Sequence, residues 1–122
     1  MAGSVLLNIV RESMLEVYQA KRIIQKELLL ENYPILSNSI ECTVSIYLKE
    51  KKKNTYTTSS ANTLLENIII CAKKAAFEDP AHPPLSSSNY LLAEIELTLH
   101  TDDGDISEKD SPILTDETTL VV

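Results

Sequence analysis

Two stretches of this chain alternate apolar and polar residues with a period of two, and they limit the fold more than any other feature. Cys42, Val44, Ile46 and Leu48 alternate with Thr43 and Ser45, and Ala93, Ile95, Leu97 and Leu99 alternate with Glu94, Glu96 and Thr98. Successive strand side chains point to opposite faces, so each run predicts a strand with one face buried. The segments around them read as helices. Val5, Leu6, Ile9, Val10, Met14 and Val17 share one helical face behind Ser4, which can cap it, with Arg11, Glu12 and Glu16 on the other face. The periodicity continues weakly through Ile23, Ile24 and Leu28, so this helix runs on or breaks near Ala20; Pro34 disfavours helix at Tyr33. Thr63-Leu64-Leu65-Glu66 has the form of a capping box, in which hydroxyl and carboxylate each bond the other residue's amide. It opens a helix with Leu64, Leu65, Ile68, Ile69, Cys71, Ala72, Ala75 and Ala76 on its apolar side, stopped by Pro80.

The remaining segments are polar. Lys49 to Asn54 reads as a solvated turn, Thr55 to Thr58 as a short partner strand, and Ala81-His82-Pro83-Pro84 as a rigid, extended elbow. From Thr101 onward the acidic composition predicts a loop, with Thr118 to Val122 as a candidate last strand. Helices and strands mix without a βαβ repeat. The expected class is therefore α+β, an antiparallel sheet packed against two main helices. The expected division is a domain over residues 1–100 and an acidic C-terminal segment over 101–122.

Composition then excludes function classes. The chain has only 2 glycines among 122 residues, where about 7% usage would give roughly eight or nine. Rossmann, Walker A and nucleophile-elbow loops all need several glycines, for close backbone approach or positive φ. With no tryptophan, one phenylalanine and 2 histidines, a histidine-rich metal centre and an aromatic base-stacking surface are also disfavoured. Residues 1–100 carry ten basic and eleven acidic side chains, whereas residues 101–122 carry seven acidic ones against Lys109 alone. A neutral body with an acidic end lacks the basic footprint of a nucleic-acid binder. The longest apolar run, Ile68 to Ala72, is too short to cross a bilayer, and nothing before Arg11 reads as a signal peptide. A cytoplasmic location is the expectation. Cys42 and Cys71 sit in apolar runs and read as core residues.

Glu78, Asp79 and His82 form the cluster of carboxylates beside a histidine. It reads either as a metal or acid–base site or as a surface turn in which Asp79 bonds nearby amides; a stable metal site needs three or four ligands, which favours the turn. The Thr55 to Ser60 run offers hydroxyls, but no base stands near it in sequence. Lys49, Lys51, Lys52 and Lys53, with Lys73 and Lys74, are the basic clusters; an acidic partner segment or the chain's own acidic end is their expected counterpart.

The segment Ala75-Ala76-Phe77-Glu78-Asp79-Pro80-Ala81-His82-Pro83-Pro84-Leu85 resembles the Ala-Ala-Phe-x-Asp-x-Arg-Phe-Pro-Pro-Leu stretch of the AMMECR-type domain, known in bacteria and archaea as AmmeMemoRadiSam system protein A. Leu6 to Ser13 is similar to that family's opening helix, Cys42 to Leu48 to its early strand, and Ile95 to Leu99 to its Ile-Glu-Ile-Ser-Val strand. The resemblance spans residues 5 to 100. Where the family has Leu-Arg-Gly-Cys-Ile-Gly, this chain has Asn54-Thr55-Tyr56-Thr57-Thr58-Ser59-Ser60-Ala61, and His82 stands where relatives have phenylalanine. Family domains also continue through a second, glycine-containing half. The resemblance implies a shortened, divergent member, with Memo-like or radical S-adenosylmethionine proteins as pathway partners. The expected function is a noncatalytic protein-interaction or regulatory module that self-associates through uncovered apolar surface. The alternative is an enzyme or small-ligand binder using Glu78, Asp79 and His82 with Tyr56, Thr57 and Ser59. Neither reading assigns a catalytic residue, a metal or a cofactor, and neither calls for nucleic acid or membrane.

Overall fold

A four-stranded antiparallel sheet in the order β2-β1-β3-β4 carries two long helices on one face. The computed structural model describes residues 5–49, 51–58, 62–110 and 112–113. Helix α1 (Val5–Gln19), α2 (Lys26–Asn32) and a 3-10 turn (Pro34–Ser37) lead into β1 (Glu41–Leu48) and β2 (Lys51–Thr57). Then come α3 (Leu64–Phe77), α4 (Ser87–Leu92), β3 (Glu94–Thr101) and β4 (Gly104–Asp110). The class is α+β, as the sequence predicts. Among the described residues, no helix is long and apolar enough to cross a membrane.

The alternating runs fall where expected. Cys42, Val44 and Ile46 of β1 face Ile95, Leu97 and Leu99 of β3 in register, and all six are buried under α1 and α3. Helix α1 breaks at Ala20, which adopts a left-handed φ of 53° and so takes a conformation usually left to glycine. Helix α3 opens with half of the expected box: Thr63 Oγ1 accepts from the Glu66 amide at 3.3 Å, while the Glu66 carboxylate takes Lys26 Nζ at 3.0 Å.

Four expectations change. Arg11 and Glu16 do not lie on a solvent face. Arg11 donates to the Tyr90 and Ala93 carbonyls and to Asp110 Oδ2, at 3.2, 3.0 and 2.9 Å, and so is buried with partners. Glu16 accepts from the Ile23 and Ile24 amides and from Lys73, each at 2.9 Å, which pins the chain leaving α1. Val17, expected inside, is exposed. Lys51 to Asn54 belong to β2 rather than to a turn, and a register shift between Ile46 and Tyr47 absorbs the tight connection.

The larger correction concerns the acidic segment. Residues 104–110 are not loop but strand β4, paired along its length with β3. Gly104, at φ 123°, makes the turn, and Thr101 Oγ1 donates to its carbonyl at 2.6 Å. An edge strand wet on both sides shows no apolar alternation, and Ile106 is itself exposed, so the pattern carried no signal. Helix α4, which the sequence reading does not predict, is capped by Ser86, whose hydroxyl accepts from the Asn89 amide at 3.1 Å. Ser4, Ser59 and the expected strand at Thr118 to Val122 lie outside the described residues.

Candidate functional site

The elbow after α3 is built around Asp79. Its Oδ1 accepts from the Ala81 amide at 2.9 Å and its Oδ2 from the Thr55 amide of β2 at 3.2 Å. These bonds, the Ala81 amide first, hold the Asp79 carboxyl below its ordinary value. His82 Nδ1 sits at a loose 3.4 Å from the same Oδ2. The Leu85 amide returns to the Ala76 carbonyl at 2.7 Å, folding the proline-rich segment back on the helix end. Asp79 thus ties the elbow to the Thr55 segment. Glu78 leaves the cluster, pairing instead with Lys74 at 3.3 Å on the exposed side of α3. Among the described residues, no three metal-ligating side chains gather. The geometry is that of a turn whose carboxylate satisfies backbone amides.

Tyr56 and Thr57 diverge because neighbours in a strand point oppositely. Tyr56 packs against the core, with Lys74 Nζ 5.8 Å from its ring centroid. Thr57 lies on the other sheet face and shares a 2.8 Å hydrogen bond with Thr43. The cysteines are core residues, as expected. The Cys71 thiol donates to the Tyr56 carbonyl at 2.7 Å, and the neighbouring Cys42 thiol together with burial pushes it well above its ordinary value. Lys73 and Lys74 are paired with Glu16 and Glu78 rather than with the acidic end.

The sheet face opposite the helices holds a second arrangement. Asp105 of β4 lies 2.9 Å from His100 Nδ1, His100 Nε2 lies 2.7 Å from Thr43 Oγ1, and Thr43 reaches Thr57. This relay crosses all four strands. Thr98 and Ser107, bonded at 2.8 Å, extend the hydroxyl-rich surface, and buried Ser45 bonds Thr55 at 3.1 Å on the same face. Sequence reasoning missed His100 and Asp105. Alternation places Thr43 and His100 on wet faces, but their proximity depends on the pairing of β1 with β3, and Asp105 fell within the segment read as loop.

No protein-family model matches the chain, and no curated protein matches it. Among solved structures it is similar to an uncharacterized protein from Pyrococcus horikoshii, with a TM-score of 0.68 at 18% sequence identity. The match covers 80% of this chain and 50% of that one. The likeness shows a shared fold, and this chain spans about half the length of that neighbour.

Proposed function

We propose that this chain is a divergent AMMECR-type domain that works as a protein-interaction module, with its contact surface on α2 and the turn after it. The observation that carries this reading is an apolar surface. Leu28, Leu30, Tyr33 and Ile35, four large side chains within eight residues, are 50%, 36%, 41% and 49% exposed. Helix α2 buries none of its residues, and clustered exposed apolar side chains mark contact sites. The commitment of Asp79 to the Ala81 and Thr55 amides supports an elbow with a structural role. The resemblance over Ala75 to Leu85 supports the family reading, and through it Memo-like or radical S-adenosylmethionine proteins as further partners.

The first partner is a second copy of the chain. Sedimentation over a concentration series tests this. Leu28→Asp with Ile35→Asp should weaken self-association about a hundredfold, since each buried aliphatic side chain contributes roughly 1.5–3 kcal/mol. A wild-type chain that stays monomeric at the highest concentration overturns self-association.

A further inference from the structure

The relay on the sheet face opposite the helices has the connectivity by which hydrolases activate a hydroxyl. An ionised aspartate only accepts hydrogen bonds, so the His100 nitrogen facing Asp105 carries the ring proton. In the neutral ring the other nitrogen, Nε2, is then the acceptor, and Thr43 donates to it across 2.7 Å. Thr57 in turn donates to Thr43 Oγ1, at 2.8 Å. An orienting carboxylate, a base and a hydroxyl thus stand in the order and at the spacing that nucleophilic catalysis requires. None of the three is sealed in the core: Thr43 is half-buried, and the His100 and Asp105 side chains keep 30% and 64% of their exposure. Glu41, opposite His100 in the β1–β3 register, is the other acidic side chain across from the ring.

We propose that Thr43 is an acyl-accepting nucleophile, with His100 as its general base and Asp105 as the positioning residue, acting on small activated carboxylic esters and thioesters. Thr43 Oγ bonds to the carbonyl carbon as His100 Nε2 takes the hydroxyl proton. The bond from that carbon to the leaving oxygen or sulfur breaks, and the leaving group departs with the proton from His100. Water then adds to the acyl carbon as His100 Nε2 takes its proton, the bond from that carbon to Thr43 Oγ breaks, and the proton on Nε2 passes to Oγ, releasing the acid and restoring the hydroxyl. The restriction to activated substrates follows from the sheet. Backbone amides, the usual oxyanion donors, are engaged in the ladder on both sides of β1. The hydroxyls flanking Thr43 in the ladder are those of Thr57, bonded to it, and Thr98, opposite it in register and bonded to Ser107.

The test uses the whole chain and p-nitrophenyl acetate at neutral pH, with peptide mapping of the acetylated product. The expected result is a hydroxylamine-labile acetyl ester on Thr43. Thr43→Val removes it and Thr43→Ser keeps it. His100→Gln slows its formation about a hundredfold, the scale of general-base assistance. Asp105→Asn slows acetylation of Thr43, and Asp105→Glu, which keeps the carboxylate, restores it, because the carboxylate holds the ring with Nε2 facing the hydroxyl. A merely structural Asp105 would leave the acetylation rate unchanged in both folded variants. Acetylation confined to lysines, or Thr43 acetylation at equal rate in His100→Gln, overturns the proposal. So does a Thr43→Ser chain that folds by circular dichroism but is not acetylated at residue 43.

Discussion

Each of the 2 histidines in this chain stands beside an aspartate, and the two pairs differ in what the aspartate is free to do. Asp79 and His82 are three residues apart, so chain proximity alone brings them together. The Asp79 oxygens are already taken by the Ala81 and Thr55 amides, and His82 is left at 3.4 Å. Asp105 and His100 meet through the β3–β4 hairpin, at 2.9 Å, and the far ring nitrogen is then held by Thr43. A carboxylate at a turn is captured by backbone donors that have no other partner. A carboxylate on an outer sheet face finds the ladder amides occupied, and so orients a side chain instead.

The comparison is easiest to break through the anchor of β4, the strand that carries Asp105. Arg11→Met leaves Asp110 without its guanidinium and takes a side-chain donor from each of two buried carbonyls, the Tyr90 carbonyl keeping only the Ala93 amide. Losing one member of such a buried set costs about 3–5 kcal/mol, to be read by urea unfolding. Amide exchange should quicken in β4 while the Thr55 and Ala81 amides keep their protection. Equal loosening of both regions would erase the distinction between them.

A smaller effect separates the two histidines directly. His82→Gln should leave acetylation of Thr43 unchanged, where His100→Gln slows it about a hundredfold. Asp79→Ala is the converse: it frees the Thr55 and Ala81 amides and lowers the Tm, while Thr43 keeps its reactivity. Acid should act in the same sense. The ordinary carboxyl values are 3.8 for Asp79 and 4.5 for Glu16. Asp79 is held lower by the Ala81 and Thr55 amides. For Glu16, burial pushes upward, but the Ile24 amide, Lys73 and the Ile23 amide together prevail and hold it low. Groups depressed on folding contribute stability that is fully present above those ordinary values and lost as pH falls through the folded ones. Thermal melts of Glu16→Gln and Asp79→Asn across that acid range should each show a shallower decline than the parent chain. The smallest effect falls on Glu78. Its exposed pair with Lys74 contributes no more than about 0.5 kcal/mol, so Glu78→Ala should leave the melting curve almost where it was.

Much of the frame was legible in the sequence. Thr43, Glu94, Glu96 and Thr98 mark the wet sides of β1 and β3 because one sheet face needs solvent and the other needs the helices; Ser45, on the same face as Thr43, is buried instead. Thr63 and Pro80 bracket α3 by local hydrogen bonding and local sterics. What escaped had no local signature. Strand β4 exists because β3 offers it an edge, and its polar residues would suit a loop equally well. Arg11 reads as a surface charge until the Tyr90 and Ala93 carbonyls, some eighty residues away in sequence, are placed over it. Of the expected site residues, Asp79 and Thr55 meet, Glu78 turns to Lys74, and Thr57 joins the opposite face.

The sequence by itself determined an α+β chain with one-sided strands, thiols inside, and no glycine-built phosphate loop. Those features follow from periodicity and residue chemistry acting over a few neighbours. Only the tertiary structure decided which of two Asp–His pairs reaches a hydroxyl. The cause is strand register: the pairing of β1, β3 and β4 places Thr43, His100 and Asp105 within hydrogen-bond reach, and no short-range pattern encodes that pairing.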